Sequence, residues 1–366
     1  MKVVHLSHRF WPCTGGVETH VMQLCEHLLA DGIETKVVCL DRCPNSGERL
    51  PKSGTKNRVR VERLGFLDLG FYRIAPGAIS KTRGFDVVHV HGIGFFSDFF
   101  ALFKLFHRKR LVLSTHGGIF HTKNYSLLKK IYFNIWCRLA LRAFDRVIAV
   151  SRQDFETFRR IVPEKKIVLI ENPVPVEMLS AIPRKAVPNS FLFVGRLSKN
   201  KGLENLLDAF SELKKSRRDF SLKIAGSPFD MTKEELREMI LKKGLEGMAE
   251  VLGAVSEKEL LELYAGSEFF VSASEYEGFG ISAVEAMAAG LIPILNGIPA
   301  FREFVTEGET GFIADFSSRE RAAKKLGEAL GLKKAERQAM GRAARAFSRK
   351  FCWKNSLKKF EKAYGN

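Results

Sequence analysis

Short apolar, β-branched runs recur along the chain, and most of them are followed by residues with helical spacing. The first series consists of VVHL (3–6), TKVVCL (35–40), VRVERL (59–64), DVVHVHG (86–92), LVLSTHG (111–117), RVIAVS (146–151) and KIVLIENP (166–173). Between these runs, apolar residues recur at helical spacing, for example from Val17 to Leu29 and from Leu127 to Leu141. Continuous apolar strands joined by crossover helices are typical of a parallel sheet that is covered on both faces.

The alternation pauses at the proline-rich segment ENPVPVEMLSAIPRKAVPNS (171–190), whose lack of periodicity predicts a linker over 173–189. It then starts again with FLFVG (191–195), LKIAG (222–226), EVLGAV (250–255), FFVSAS (269–274) and LIPIL (291–295). We therefore predict an α/β protein with two Rossmann-like, doubly wound parallel-sheet domains that face a cleft. Their predicted bounds are 1–172 and 190–349, and a final helix is expected over 350–366.

The composition favours two cores and excludes several classes of protein. A chain of 366 residues with 45% hydrophobic side chains suits two domains better than one. No uninterrupted apolar run is long enough to span a membrane, and the first residues, MKVVHLSHRF, are typical of a short buried strand rather than a secretory signal. We therefore expect a cytoplasmic protein.

Positive charge is concentrated in the first half of the chain. Residues 1–172 hold 28 Lys and Arg against 15 Asp and Glu, so this half carries +13 of the total net charge of +18. Such an excess predicts an anionic partner, which can be a nucleic acid, a phosphate-bearing substrate or an anionic membrane surface. Charge alone does not choose among the three.

Neither the cysteines nor the acidic residues predict a metal site. No Cys-x2-Cys pair occurs, so we interpret all six cysteines as reduced thiols that mostly pack in the core: Cys13, Cys25, Cys39, Cys43, Cys137 and Cys352. A zinc site built from His89, His91 and His116 lacks the usual acidic partner. Asp-x-Asp does not occur either, which leaves no evident carboxylate pair for Mg²⁺. We expect no metal.

A tight turn in EYEGFGISAVEAMAAG (275–290) predicts a site for a phosphate between two polyols. The amides of Gly280, Ile281 and Ser282 at the start of the following helix can bind a diphosphate. Glu285, one turn into that helix, can accept hydrogen bonds from a ribose diol, and Glu277 can reach a second hydroxyl-rich group. A sugar nucleotide satisfies all of these groups. The alternative is that Glu285 only complements the helix dipole and Glu277 is a solvated loop residue.

A second phosphate-binding loop is predicted in FVGRLSKNKGLENLL (193–207). Arg196 and Lys201 lie between a strand and a helix, where two cations can clamp a diphosphate and stabilise charge on a leaving group. The alternative is that both side chains are simply solvated.

Two features of the first half are candidate ligand contacts. Gly15 and Gly16 precede a helix and form a backbone-amide pocket, although they lack the Gly-x-Gly-x-x-Gly pattern of a dinucleotide site. His116 lies in STHGG, where the flanking glycines are expected to expose it at the carboxyl end of its strand. We therefore interpret His116 as functional rather than structural.

Two basic and aromatic stretches can each be either buried or membrane-facing. For FFSDFFALFKLFHRKR (95–110) we favour a buried helix that packs on the sheet. For KNYSLLKKIYFNIWCRLALRAF (123–144), whose cations are spread along its length, we favour contact with an anionic membrane surface.

Together, these motifs resemble the retaining glycosyltransferases of the GT-B architecture, in the large family 4 or group 1 type. The most specific features are the pair Glu277-x7-Glu285 and the loop GRLSKNKG (195–202), and HVHG, ENPVP and GGVE add to them. The resemblance runs from Gly15 to Gly311 and so covers nearly the whole chain. It implies two Rossmann-like domains and a C-terminal helix over 350–366 that crosses back to the first of them.

The resemblance also implies a role for each candidate residue. The residues implied to bind the donor are Arg196 and Lys201 for the diphosphate, Glu285 for the ribose, and Gly280, Ile281 and Ser282 for phosphate and sugar. Glu277 would hold hydroxyls of the transferred sugar, His116 would contact that sugar near the reacting carbon, and Gly16 would let the diphosphate approach. Transfer in this family is metal-independent, retains the anomeric configuration and needs no protein base. No cofactor is implied beyond the nucleotide sugar itself.

STHGGIFHTK and KKIYFN are similar to segments of mannosyltransferases that move mannose from GDP-mannose onto polyprenyl-diphosphate-linked sugars in exopolysaccharide assembly. Such an acceptor is anionic and membrane-borne, which implies a protein bound peripherally to the inner face of the cell membrane. A UDP-sugar-dependent glucosyl- or N-acetylglucosaminyltransferase shares every phosphate-binding feature. A nucleic-acid-binding protein would explain the charge but not Glu277 and Glu285, because carboxylates repel phosphate, so we expect no nucleic acid partner.

Overall fold

A computed structural model describes residues 1–13, 15–43, 48–70, 72–117 and 131–365. The chain forms two compact units, of which the first contains Met1–Asn172 together with Trp353–Asn366 and the second contains Pro173–Cys352. Each unit is built on a sheet whose strands pair in parallel, apart from one edge strand of the first unit. The predicted class, two doubly wound α/β domains, is confirmed.

The first unit contains an eight-stranded sheet with the order β10-β9-β8-β7-β1-β2-β4-β3. Its strands are β1 (Lys2–Ser7), β2 (Glu34–Leu40), β3 (Ser53–Lys56), β4 (Val59–Leu64), β7 (Val87–His91), β8 (Arg110–Ser114), β9 (Arg146–Ala149) and β10 (Ile167–Leu169). Two short strands, β5 (Leu67–Asp68) and β6 (Arg73–Ile74), form a separate antiparallel ribbon. The central strands are buried on both faces, which explains their continuous apolar sequences.

Helices cover both faces of this sheet. The described α-helices of the first unit are α1 (Gly16–Ala30), α2 (Ala78–Lys81), α3 (Phe95–Leu102), α4 (Lys104–His107), α5 (Arg138–Ala140), α6 (Arg152–Phe158) and α15 (Trp353–Tyr364). A π-helix, Tyr132–Cys137, leads into α5. The C-terminal helix α15 buries Trp353, Phe360 and Tyr364 in one cluster with Val3 of β1 and Val112 of β8. It thereby joins the first unit, although the second unit separates it from the rest of that unit in sequence.

The second unit contains a six-stranded parallel sheet with the order β13-β12-β11-β14-β15-β16. Its strands are β11 (Ser190–Val194), β12 (Ser221–Ala225), β13 (Ala249–Gly253), β14 (Phe269–Ser272), β15 (Ile292–Asn296) and β16 (Phe312–Ala314). Its α-helices are α7 (Val176–Ser180), α8 (Leu203–Leu213), α9 (Lys233–Lys242), α10 (Glu257–Gly266), α11 (Ile281–Ala289), α12 (Pro299–Arg302), α13 (Arg319–Gly331) and α14 (Lys334–Ser348). The proline-rich segment 173–189 contains α7, whose Val176 and Leu179 are buried in a cluster with residues of α11.

The interpretation of all six cysteines as reduced thiols is wrong for two of them. Cys13 and Cys43 form a disulfide between the loop before α1 and the loop after β2. The sequence offered no signal for this pairing, because 30 residues separate the two cysteines and only the fold brings them together. Cys25, Cys39 and Cys137 are buried free thiols, as expected, and Cys352 is a partly buried free thiol.

Candidate functional site

An ion pair between Lys201 and Glu277 joins two of the predicted ligand-binding loops in the second unit. Lys201 Nζ lies 2.6 Å from Glu277 Oε1, and each side chain is only 15% exposed. Ser274 Oγ donates a second hydrogen bond, of 2.9 Å, to the same carboxylate oxygen. The loop that follows β14 and the turn before α8 therefore present one lysine and one carboxylate side by side.

Two glycines allow this close approach of the loops. Gly202 precedes α8 at φ 62°, and a Cβ at this position would overlap the carbonyl oxygen of Ala273 in the opposite loop. Gly280 precedes α11 at φ 97°, and a Cβ there would lie 2.8 Å from the ring of Phe301. Both positions need the left-handed backbone conformation and the missing side chain, which only glycine supplies at low cost.

Glu285 lies on α11 and is bonded to a buried tyrosine. Tyr264 Oη donates a hydrogen bond of 3.1 Å to Glu285 Oε2. Burial of the Glu285 carboxyl raises its pKa to about 7, although the hydrogen bond from Tyr264 acts in the opposite direction. A carboxyl group with this pKa changes its charge near neutral pH, so a hydrogen-bonding ligand that prefers the carboxylate will bind in a pH-dependent way.

The other donor-binding groups predicted from the sequence are Arg196 and the amides at the start of α11. Arg196 is exposed, and its guanidinium lies over the ring of Phe229 at 4.7 Å from the ring centroid. Ile281 and Ser282 begin α11, where backbone amides have no partner within the helix. Basic side chains, helix amides and carboxylates thus occur at the carboxyl ends of β11 and β14, the edge of a parallel sheet where ligands bind.

In the first unit, the predicted residues lie at the start of α1 and after β8. Gly15 precedes α1 and Gly16 is its first residue. His116 follows β8 in the left-handed conformation, at φ 47°. Its turn is fixed from both sides by the buried Asp154, which accepts hydrogen bonds from Thr115 Oγ1 and, at 2.9 Å, from the amide of Gly117. His116 itself is partly buried, so the prediction that the glycines expose it holds only in part.

Imidazoles are clustered around His116 on one face of the sheet. His5 on β1 and His89 and His91 on β7 alternate with apolar residues. One nitrogen from each of these three rings lies within 4.8 Å of those from the other two. Both nitrogens of His89 bond to hydroxyl oxygens at 2.8 Å, those of Tyr364 and Ser114. The zinc site considered from the sequence consisted of His89, His91 and His116. The fold instead brings His5 close to His89 and His91.

Sequence reasoning missed the residues that support the candidate groups. Ser274 and Tyr264 hold the two carboxylates, Asp154 holds the His116 turn, and His5 contacts His91. The alternation that places His5 on the same face of the sheet as His89 and His91 was visible in the sequence. The others had no local signal, because each reaches its partner across the fold.

An exposed apolar and basic surface lies on α3, α4, the π-helix and α5 of the first unit. Its apolar members are Leu102, Leu105, Phe106, Ile131, Ile135, Trp136 and Leu139. Its basic members are exposed arginines of the same segments of the chain: Arg108, Arg138 and Arg142. We refer to these ten residues as the apolar-basic surface. Phe95, Phe96 and Phe100 are buried, so the prediction of a buried 95–110 is confirmed at its start and wrong at its end.

Asp98 joins two of the elements that carry this surface, α3 and the π-helix. The hydroxyls of Tyr72 and Tyr132 donate hydrogen bonds of 2.8 and 2.6 Å to its Oδ2 atom. These bonds hold α3 against the π-helix, so the parts of the surface on these two elements are held together. Residues 123–130 of the second basic and aromatic stretch, and GIFHTK (118–123) of the segment STHGGIFHTK, lie outside the described residues.

Two family models match adjoining parts of the chain. Residues 14–178 match "Glycosyltransferase Family 4", and residues 179–347 match "Glycosyl transferases group 1". A protein of Xanthomonas campestris called GDP-mannose:cellobiosyl-diphosphopolyprenol alpha-mannosyltransferase is 36% identical over 367 residues, which cover 100% of this chain and 96% of the relative. The protein of the same name from Xanthomonas oryzae pv. oryzae is 37% identical over 334 residues, covering 91% and 88% of the two chains.

Solved structures share the fold at low sequence identity. A sucrose-phosphate synthase from Thermosynechococcus elongatus has a TM-score of 0.79 at 19% identity and covers 100% of this chain and 98% of its own. Anabaena Alr3699/HepE, solved in complex with UDP and glucose, has a TM-score of 0.77 at 17% identity, with coverages of 100% and 99%. At this level of identity the likeness extends to the fold alone.

Proposed function

Because the chain belongs to the glycosyltransferases with family 4 and group 1 domains, we propose that it transfers mannose from GDP-mannose to a saccharide on polyprenyl diphosphate. The observation that carries the proposal is the 36% identity along the full chain to an enzyme whose name states this donor and this class of acceptor. The paired loops of the second unit supply the groups that such a donor requires.

In this proposal the second unit binds the nucleotide sugar. Lys201 and Arg196 bind the diphosphate, together with the amides of Gly280, Ile281 and Ser282. Glu285 accepts hydrogen bonds from the ribose diol, and Glu277 from hydroxyls of mannose. Lys201 already forms an ion pair with Glu277 at 2.6 Å, which offsets the repulsion between this carboxylate and an anionic ligand.

Transfer proceeds with retention and without a metal. The bond between C1 of mannose and the diphosphate oxygen breaks, and the acceptor hydroxyl oxygen bonds to C1 on the same face. The hydroxyl proton passes to the leaving diphosphate, and GDP is released. Lys201 and Arg196 stabilise the charge that develops on the leaving group. In the first unit, Gly16 allows the diphosphate to approach the backbone, and His116 contacts the sugar near C1.

Donor preference tests the proposal directly. A ligand that binds only the folded state raises the unfolding temperature, so GDP and GDP-mannose are expected to stabilise the purified protein more than UDP, ADP or UDP-sugars do. The measurement is thermal unfolding with each nucleotide at the same concentration. A preference for UDP would move the function to a glucosyl- or N-acetylglucosaminyltransferase of the same fold. A protein that no nucleotide stabilises would contradict the proposal altogether.

Chelation tests the metal-free part of the mechanism. We expect EDTA to leave the initial rate of mannose transfer unchanged, because lysine and arginine take the role that Mg²⁺ has in other phosphate-transfer sites. The measurement is release of GDP with and without EDTA. A rate that falls with EDTA and recovers with Mg²⁺ would contradict this mechanism.

We further propose that the apolar-basic surface binds the anionic membrane that carries the acceptor, at the inner face of the cell membrane. Leu105 and Phe106 are 85% and 81% exposed, an unusual amount for large apolar side chains. The arginines of this surface match anionic lipid headgroups, and a tryptophan, Trp136, is typical of the interface region. No helix in the described ranges is both long and apolar enough to cross a membrane.

Charge substitution on this surface is expected to release the protein from lipid. The double variant Leu105→Glu and Phe106→Glu should bind anionic phosphatidylglycerol vesicles at least roughly tenfold more weakly, because two apolar groups are lost and two negative charges are added. Co-sedimentation with vesicles measures the change. Leu241→Glu, at an exposed leucine of the second unit, is the matched control and should bind as the unchanged protein does. Equal binding of vesicles by both variants would exclude this surface as the membrane-binding site.

A further inference from the structure

Three buried or partly buried imidazoles of the first unit form a hydrogen-bonded chain that ends at His116. His5 Nδ1 lies 3.0 Å from His91 Nε2, and His91 Nδ1 lies 3.0 Å from His116 Nε2. The three rings extend from neighbouring elements, since β1 carries His5, β7 carries His91, and His116 follows β8. The two bonds share the ring of His91, so the proton position on one imidazole determines that on the next.

A chain of neutral imidazoles has only two possible directions. If His5 Nδ1 donates, every ring is protonated at Nδ1, and His116 receives a bond at Nε2. If His116 Nε2 donates, every ring is protonated at Nε2, and His5 carries a hydrogen on its own Nε2. His5 Nε2 is buried and has no hydrogen-bond partner among the residues that the structure describes. An orphaned N–H group in the core is rarer than an orphaned acceptor, so the first direction is favoured.

We propose that His5 and His91 are positioning residues that hold His116 as the Nδ1-protonated tautomer. The Nδ1–H group of His116 is then available to donate to its ligand, and the lone pair on its Nε2 accepts the hydrogen bond from His91. It therefore acts as a hydrogen-bond donor to a sugar oxygen and not as a base that takes a proton from the acceptor. This inference rests on the proposed function, in which His116 contacts the transferred sugar.

The surroundings of the chain keep its members neutral. Burial lowers the pKa of His116 to about 4 and that of His5 to about 3, and it lowers the pKa of His91 well below the ordinary value. The groups that pack on the chain are themselves uncharged or aromatic: His20, His89, Ser114, Trp353, Phe360 and Tyr364. A protonated imidazole would find no carboxylate among these described groups, and the carboxylate of Asp154 is bonded instead to Thr115 Oγ1 and the amide of Gly117.

Hydrogen bonds account for the cluster without a metal ion. His5, His89 and His91 lie close enough to share a cation, yet Tyr364 and Ser114 occupy both nitrogens of His89. The bond between His5 and His91 uses one nitrogen of each of the other two rings. Asp154 also holds the backbone of His116 in a left-handed turn through hydrogen bonds that do not involve its ring.

The first measurement determines which tautomer of His116 is present. The full-length protein labelled with ¹⁵N-histidine gives long-range ¹⁵N–¹H correlations that separate protonated from unprotonated ring nitrogens, and a His116→Asn variant identifies the His116 signals. We expect a protonated Nδ1 and an unprotonated Nε2 at neutral pH in the unchanged protein. A protonated Nε2 would overturn the proposal.

Kinetics of His91 variants then separate positioning from simple packing. His91→Phe removes both hydrogen bonds and should lower kcat about tenfold with little change in KM for GDP-mannose. His91→Asn keeps a donor near the position of Nδ1 and should restore kcat to within about threefold of the unchanged enzyme. Equal losses of kcat in both variants would contradict a role for the hydrogen bond from His91 to His116.

His89→Phe is the matched control for the loss of a buried imidazole. It removes two hydrogen bonds from the same cluster, so its unfolding temperature should fall at least as much as that of His91→Phe. The His116 tautomer should nevertheless persist, because His89 is bonded to neither His5 nor His116. A tautomer change in His89→Phe would overturn the assigned chain.

The two proposals fail in distinguishable ways. A protein with the expected His116 tautomer that transfers no mannose would overturn the proposed function and support the hydrogen-bonded chain. A protein that transfers mannose with His116 protonated at Nε2 would support the function and overturn the chain.

Discussion

Replacing Lys201 with alanine is expected to lower the turnover of mannose transfer on the order of a hundredfold. The variant loses a charge-assisted bond to the leaving diphosphate, which costs about 1.5–3 kcal/mol, or roughly ten- to a hundredfold in rate. It also leaves Glu277, which is 15% exposed and bonded to Lys201 at 2.6 Å, without its cation beside an anionic ligand. The unpaired carboxylate adds to the loss of the bond to the diphosphate, so we expect the upper end of the range, a loss of rate of about a hundredfold.

Kinetic constants for Lys201→Ala and a neighbouring variant provide the test. Lys199 lies in the same 3-10 turn but is exposed, so Lys199→Ala should transfer mannose at nearly the normal rate. If Lys201 acts on charge that develops as the bond breaks, kcat will fall more than the affinity for GDP-mannose. Near-normal turnover by Lys201→Ala would refute the phosphate role that we assign to this lysine.

The double variant with Glu277→Gln separates the two contributions. Glu277→Gln removes the negative charge that Lys201 neutralises but keeps an amide able to bond sugar hydroxyls. In the Lys201→Ala background, this change should recover part of the lost stability, because no unpaired carboxylate remains. It should not recover turnover, since the cation near the diphosphate is still absent.

Most of the fold could be predicted from periodicity, and the exceptions have identifiable reasons. Apolar runs such as FLFVG and DVVHVHG predicted β11 and β7 because both strands are buried on each face. β3, with the sequence SGTK, was missed because it is an exposed edge strand without apolar residues. The proline-rich segment 173–189 has no helical period, yet it contains α7, whose apolar residues are buried by tertiary packing.

The candidate site was predictable only where the chemistry is local in sequence. Glycines, a following helix and nearby charges identified the loops of Lys201 and Glu277, since a phosphate site uses adjacent backbone and side chains. The direct bond between these residues was not predictable, because 76 residues separate them. The Cys13–Cys43 disulfide and the contact of His5 with His91 likewise depend on neighbours that only the fold supplies.

Glu285→Gln is expected to have opposite effects on donor binding and on stability. Glutamine keeps one acceptor oxygen but loses the charge, so the affinity for GDP-mannose should fall roughly ten- to a hundredfold. The free variant should nevertheless be more stable than the unchanged protein at pH 8. Burial raises the pKa of Glu285 to about 7 in the folded protein, so ionisation above that pH costs folding free energy that an amide does not.

The sign of the pH dependence follows from the two pKa values. Between an unfolded pKa of 4.5 and a folded pKa of about 7, the folded protein holds a proton that the unfolded chain has released. Stability therefore falls as pH rises through this window and levels off above it. The gain in free energy of unfolding from Glu285→Gln should be small at pH 4.5 and reach about 1–3 kcal/mol at pH 8. Urea unfolding at several pH values measures it.

Binding should show the reverse dependence on pH. If the ribose diol bonds to the carboxylate, the unchanged protein will bind GDP-mannose more tightly as pH rises from 6 to 8, and Glu285→Gln will not. GDP-mannose is the right ligand for this comparison, because its diphosphate has no ionisation near neutral pH to obscure the effect of Glu285. Parallel pH profiles for the two proteins, measured by calorimetry, would show that Glu285 does not contact the donor, whatever its effect on stability.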